Sequence, residues 1–387
     1  MSQKNQLDNV FYYNRKKDEY SDGFYEDCKG YTGLPDTLKK RDRIIAIGDV
    51  HGDLHLTIKN LLIAKVIAKI NKNNDEDEDS ILEVKYEDNS TEYFKWIGKD
   101  TVVVQVGDQV DRCRPIGDGK KCVRDKEATI NDEHSDLKII DLFTELNKLA
   151  MLQDGMVISL LGNHELMNFQ GNMNYVSYKG IHNKDFEGEN ATFKPDDGTF
   201  YTDGVEGRKY AFRNKINEKL ACTRQSVVAV GSWVFVHGGI VSELAAKHNI
   251  STINGAVRKM LLNKMDENNS QNPVLDDVIH DPRISPFWSR VYGHLPKGLK
   301  YSHPDCEKKL KEVFKVWNGG LKGMIVGHTP QIEEGINSTC GKRVWRVDIG
   351  ASTAFDVFSK IKNSGRTPSV LEILGDGKKF NILKEEK

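Results

Sequence analysis

The residues that could do chemistry stand in five short stretches, each directly behind an apolar run. They are "GDVHGD" at 48–53, "GDQVDR" at 107–112, "GNHE" at 162–165, "HGG" at 237–239 and "GHTP" at 327–330. Asp49 and His51 are one residue apart, so in an extended chain they point to the same side and can grip one cation. Pooling the tips gives Asp49, His51, Asp108, Asn163, His237 and His328. Carboxylate, imidazole and amide oxygen together suit Mn, Fe or Zn, whereas an all-oxygen set would favour Mg or Ca. The donors suffice for two divalent metal ions if one carboxylate bridges. Asp108 is the candidate bridge, because a carboxylate can hold cations about 3.5–4 Å apart, with a hydroxide between them as nucleophile. A lone histidine more often satisfies a backbone carbonyl than a metal. Five such tips in one chain outweigh that reading.

Something must bring the tips together. "RIIAI", "TVVVQV", "MVISLL", "VVAV" with "WVFV", "GMIV" and "RVWRV" read as short buried strands. Between them lie helical patterns, "LHLTIKNLLIAKVIAKI" and "SDLKIIDLFTELNKLAML", the second with Ser135 as its expected cap. Alternation of this kind predicts an α/β fold with the tips at the C-terminal edge of the strands. Gly162 is expected to let the chain turn into the site, and Glu165 to orient that loop. The first 41 residues read as an irregular extension, followed by one domain over 42–387 with insertions near 71–98, 113–135 and 183–206. A fourth polar stretch lies at 263–283. The acidic run in the first insertion lacks the glycine of an EF-hand loop and reads as a solvated loop feeding a hairpin.

The chain has 387 residues, 38% hydrophobic and 29% charged, with a net charge of −1. A near-neutral chain has no field to recruit nucleic acid or an anionic membrane, so any anionic ligand must be handled locally. No run is long enough to span a membrane and the start lacks the apolar core of a secretory signal, which together predict an intracellular, cytoplasmic protein. The six cysteines are too sparse for a disulfide scaffold and are expected to be free. Cys113 and Cys122 bracket "RPIGDGKK", where a loop-closing disulfide or a thiol metal site is the alternative.

The five motifs in this order resemble the calcineurin-like metallophosphoesterases, and the first three resemble the phosphoprotein phosphatase branch. "GNHELMNFQGNMNYVS", "PFWSRVYG" and "RVDIGAS" are most similar to the Shewanella-like phosphatases, over about residues 42–373. The resemblance implies an α/β metallophosphatase sandwich of two mixed β-sheets flanked by helices. It implies that Asp49, His51 and Asp108 hold one metal, and that Asp108, Asn163, His237 and His328 hold the other. His164 would be the general acid, oriented by Asp111, with Arg112 and Arg290 gripping phosphate oxygens. Phosphoryl transfer needs neutralised oxygens and a proton for the leaving group, so this equipment is chemically consistent. The function implied is a metal-dependent phosphomonoesterase acting on phosphoproteins, at serine/threonine or tyrosine. The alternatives are a hydrolase of diadenosine polyphosphates or other small phosphoanhydrides, and an inactive phosphate-binding module. A phosphoprotein is the expected partner; a regulatory subunit is not legible.

One departure stands out. Cys113 occupies the place of the family's glycine after the Asp-Arg pair, so the loop after Arg112 must follow a different path. Arg114, Lys120, Lys121 and Arg124 in that insertion read as a solvated basic loop, with an approach to the cleft as the alternative. His182 and His294 are expected to be structural.

Overall fold

The structure, a computed structural model, describes residues 24–71, 80–115, 119–265, 272–317, 320–358 and 366–385. The acidic run at 72–79, most of the N-terminal extension and parts of the 113–135 and 263–283 stretches lie outside the described residues.

The strands in chain order are β1 (Thr37–Leu38), β2 (Arg43–Ile47), β3 (Ile67–Ile70), β4 (Ile81–Lys85), β5 (Thr91–Trp96), β6 (Val102–Gln105), β7 (Met156–Leu160) and β8 (Arg224–Gln225). They continue with β9 (Val227–Val230), β10 (Trp233–Val236), β11 (Gly323–Val326), β12 (Asn337–Thr339), β13 (Val344–Arg346), β14 (Ser369–Leu374) and β15 (Lys379–Lys384). One mixed sheet runs β15-β14-β2-β6-β7-β8 and the other β1-β9-β10-β11-β13-β12; β3, β5 and β4 form a small antiparallel sheet.

The two large sheets face each other, and alternation along each strand explains the layers. Ile44 and Ala46 of β2, with Val102 and Val104 of β6, meet Val228, Phe235, Ile325 and Trp345 of the other sheet in a central core. Their neighbours Ile45, Ile47 and Val103 point outward against helices α1 (Leu54–Ile63) and α2 (Asp136–Met151), and against Phe94 and Trp96 of the small sheet. The outer face of the second sheet, through Val227, Val234 and Val236, is covered by Leu220, Val257 and Leu310 from the helices over Ile216–Thr223, Ile250–Leu261 and Pro304–Val316. Strands buried on both faces must be apolar at every position, which is why they read as unbroken runs. The fold is thus two mixed sheets flanked by helices. Ser135 does precede α2, but its side chain makes no capping bond and its hydroxyl is unpartnered.

The cysteine expectation is corrected. All six are paired, as Cys28–Cys222, Cys113–Cys122 and Cys306–Cys340. Two of the pairs join positions 194 and 34 residues apart, so only the folded topology brings them together. Among the described residues, no helix is long and apolar enough to cross a membrane.

Candidate active site

Register decides where the tips emerge. β2, β6 and β7 are parallel, with Ile47 beside Gln105 and Gln105 beside Ser159. The chains leading to Asp49, Asp108 and Asn163 therefore leave the sheet at one edge. In the second sheet Val236 pairs with Val326 and Val326 with Arg346, which places His237, His328 and Asp348 at the corresponding edge. The two edges meet directly: the His328 N–H donates to Asp49 Oδ2 at 3.0 Å, and His237 Nδ1 lies 2.9 Å from the Val106 carbonyl. A side chain at Gly327 would put a Cβ 2.3 Å from Asp49 Oδ1, so this crossing requires glycine. His51, Asp108, Asp111 and His328 all have positive φ, at 42°, 54°, 73° and 64°. Left-handed backbone at four non-glycine residues is strain concentrated where the side chains must be aimed.

Around Asp108 the ligand atoms converge. His51 Nε2 stands 3.7 Å and His237 Nε2 3.2 Å from Asp108 Oδ2, and Asn163 Oδ1 is 2.9 Å from His237 Nε2. Carbonyls only accept, so those of Val110, Val106 and Trp288 place the ring protons on His51 Nδ1, His237 Nδ1 and His328 Nε2. The remaining ring nitrogens then present lone pairs, as metal-ligating histidines do. Two groups of candidate ligands result, His51-Asp108-His164 and Asp108-His237-His328, and Asp108 belongs to both. Asp49 Oδ1 is buried without a hydrogen-bond partner. An orphaned carboxylate oxygen beside converging lone pairs fits cations.

Electrostatics agree. Burial would raise the Asp108 carboxyl, but the imidazoles of His237, His164 and His51 hold it well below the usual range. Burial, followed by the charge of Arg114, keeps His51 well below the usual imidazole value; burial and the neighbouring His237 do the same for His328. Burial pushes His237 down, while the charge of Asp108 pulls it up past its usual value. Asp49 is raised by burial and by Asp348, and Asp348 is pushed by burial up to about 6. Asp348 is a residue the sequence reading passed over. It ends the sixth apolar strand, so the rule that found the other tips would have found it.

His164 Nδ1 lies 2.7 Å from Asp111 Oδ2, and its Nε2 stands 3.8 Å from Asp108 Oδ2. A second row of buried groups fixes Asp111. Asn168 donates to Asp111 Oδ1 at 2.8 Å and accepts from Arg208 Nε at 2.8 Å, and Arg208 pairs with Asp136 at 2.6 Å. No local signal in the sequence singles out Arg208. Helix α3 (Asn163–Phe169) starts where Glu165, fully buried, accepts the N–H groups of Gly162, Asp108, Gln109 and Val110. One carboxylate thus locks two of the tips together. Gly162 has an ordinary φ of −106°; what it supplies is space, since a Cβ there would lie 2.1 Å from Asp108 Oδ1.

The arginines divide. Arg290 is exposed and donates to the His328 carbonyl at 2.6 Å, at the rim of the cluster. Arg112 is turned to Glu133 at 2.7 Å, the Gly52 carbonyl at 2.9 Å and the Asn131 carbonyl at 3.0 Å. Arg114, two residues on, is buried like Arg112, and its charge acts on His51. His182 bonds Glu187 and the Val123 carbonyl, and the His294 N–H donates to the Arg290 carbonyl.

Comparison with known proteins matches this arrangement to a family. The calcineurin-like phosphoesterase family model covers residues 42–331. An uncharacterized protein of Acanthamoeba polyphaga mimivirus is 37% identical over 63% of this chain and 98% of its own. Shewanella-like protein phosphatase 2 of Arabidopsis thaliana is 26% identical over 89% of this chain and 78% of its own. In fold, the cold-active protein-tyrosine phosphatase of a Shewanella species superposes with a TM-score of 0.56 at 18% identity, covering 91% of this chain and 83% of that one. The chain, a phosphatase-type hydrolase, belongs to the calcineurin-like phosphoesterase family.

Proposed function

We propose that this protein is a metal-dependent phosphomonoesterase that dephosphorylates phosphoproteins, with residues 42–387 as one catalytic domain. The observation that carries the reading is that Asp108 belongs to both groups of converging buried donors, His51-Asp108-His164 and Asp108-His237-His328, with Asp49 Oδ1 orphaned beside them. Asp49, His51 and Asp108 would hold one divalent ion, and Asp108, Asn163, His237 and His328 the other. When bound, such ions neutralise phosphoryl oxygens and activate a water for in-line attack. The protein's own groups do the rest. His164 Nε2 gives its proton to the leaving oxygen, and Asp111 holds the ring in the orientation that aims it. Arg290, on the rim, meets the phosphate from the solvent side. The names of the relatives support a protein substrate. Three disulfides favour an oxidising compartment over the cytoplasm that the sequence suggested.

The test is hydrolysis of an aryl phosphate by metal-stripped protein, with Mn added back and Asp108→Asn in parallel. Turnover should require metal and vanish in the variant. No turnover with any divalent metal overturns the proposal.

A further inference from the structure

We propose that Arg114, rather than Arg112, is the buried guanidinium that binds the substrate phosphate. This rests on the phosphatase reading above and names one of its phosphate-gripping groups.

Arg112 is committed elsewhere. Its Nη1 bonds Glu133 and the Gly52 carbonyl, its Nε and Nη2 both bond the Asn131 carbonyl, and Asp53 stands 3.7 Å away. It lines a cavity of about 380 Å³ whose other walls include Asp53, Glu87, Asp88, Asp132 and Glu133. A phosphate dianion would meet like charges there. Releasing Arg112 toward the Asp108 cluster would also strand the Glu133 carboxylate, itself largely buried, without its cation.

Arg114 sits in the site by an independent chain of contacts. Its guanidinium carbon lies 4.5 Å from the centre of the Phe355 ring and 5.8 Å from that of Tyr175. Phe355 is 5.5 Å from the His51 ring, Tyr175 is 4.9 Å from the His164 ring, and the two histidines are 4.9 Å apart. Arg114, Phe355, His51, His164 and Tyr175 therefore close a loop that has a metal ligand and the general acid on its far side. The charges of Asp108, Asp111, Asp348 and Asp49 all act on Arg114, and among the described residues none of them is salt-bridged to it. Its Nη1 is held by the main-chain oxygens of Asp111 and Cys113, at 3.1 and 2.8 Å. Those bonds orient the fork without neutralising it. A planar, stacked and oriented guanidinium is the group that takes phosphate oxygens bidentately.

The cause is the cysteine after Arg112. The Cys113 N–H bonds the Tyr175 carbonyl at 3.0 Å, and its sulfur is tied to Cys122. The chain is thereby pinned along the wall that Tyr175 forms, and residue 114 lies on the His51 and His164 side while residue 112 lines the acidic cavity.

The probe is inorganic phosphate, titrated calorimetrically into Mn-loaded protein and used as an inhibitor of aryl phosphate hydrolysis. Arg114→Gln should weaken phosphate binding by about ten- to a hundred-fold. Arg112→Gln should leave it within about three-fold while lowering the melting temperature. Arg114→Lys, which keeps the charge but loses the fork, should fall between wild type and Arg114→Gln, and it carries the test alone if the glutamine variant does not fold. Unchanged phosphate affinity in the Arg114 variants, or loss confined to Arg112→Gln, overturns the proposal. Arg114-dependent phosphate binding by a wild-type protein without turnover would instead refute the phosphatase reading and reduce this one to a phosphate-binding site.

Discussion

His164 Nδ1 stands 2.7 Å from Asp111 Oδ2, and both groups are buried. The carboxylate fixes the orientation of the imidazole, leaving Nε2 toward Asp108. A serine or threonine alkoxide is a poor leaving group and needs that proton, whereas a phenolate leaves with less help. His164→Asn should therefore slow alkyl phosphates by about 10²–10⁴-fold and aryl phosphates less. Steady-state kinetics over a series of leaving groups checks this. Equal losses across the series would remove His164 from the acid role.

Asp49 and Asp348 predict how metal and proton compete. Both carboxyls are raised in the folded chain, by burial first; for Asp49 the charge of Asp348 comes next. A carboxyl whose folded value exceeds its unfolded one binds its proton more tightly when folded. Its contribution is favourable at low pH and is lost as pH rises from the unfolded value of 3.8 through the folded value, about 6 for Asp348. The depressed His51 and His328 act in the opposite sense over the same interval, so the carboxyl contribution is read as the melting-temperature difference between metal-stripped wild type and Asp348→Asn, and the gain on adding Mn should grow with pH because the cation replaces the proton. Asp348→Asn removes that downward component, so its metal-free melting temperature should gain on wild type as pH rises from 3.8 to about 6. Scanning calorimetry from pH 4 to 7, wild type against variant, decides it; superimposable profiles would sink the account.

The tips were legible because metal and phosphate chemistry restrict residue type, and because each tip ends an apolar strand. Asp348 obeys the same rule, but its immediate neighbours Val347 and Ile349 are apolar and draw no attention. The layers were legible because strands buried on both faces must be apolar throughout. The path after Arg112 was not. The sequence announced a departure at Cys113, yet which arginine turns inward depends on a disulfide and on the Tyr175 carbonyl, about sixty residues away in the chain. Nor could spacing pair Cys28 with Cys222. Arg208 was invisible for the same reason, since its partners Asp136, Asn168 and Gly180 are scattered along the chain.

Glu165 illustrates how much one side chain holds. Its two oxygens accept four main-chain N–H groups, from Gly162 at 2.6 Å, Gln109 at 2.7 Å, Asp108 at 3.1 Å and Val110 at 3.3 Å. Glu165→Gln swaps one acceptor oxygen for an NH₂ group facing donors, which leaves buried groups unsatisfied. The expected cost is about 2–4 kcal/mol, read by urea denaturation. Metal affinity should fall as well, because the Asp108 loop loses its anchor. A variant as stable as wild type would mean that the two loops are held by other contacts.

The disulfides separate a global constraint from a local one. Cys28–Cys222 closes a loop of 194 residues and ties the start of the described chain to the helix over Ile216–Thr223. Cys113–Cys122 spans only 9 residues. In the chain-entropy account the long loop contributes the larger share, about 5 kcal/mol against about 2–3 kcal/mol for the short one. The short bridge matters more to the site, because it fixes the segment that carries Arg114. Replacing Cys28 and Cys222 together by serine should lower the melting temperature strongly and leave phosphate affinity near wild type. Replacing Cys113 and Cys122 together should do the reverse, with a modest thermal loss and a several-fold weaker inhibition by phosphate. Thermal melts and phosphate inhibition measured on both double variants test the separation. Parallel losses in the two properties would show that the insertion and the site are not coupled through the Cys113–Cys122 bridge.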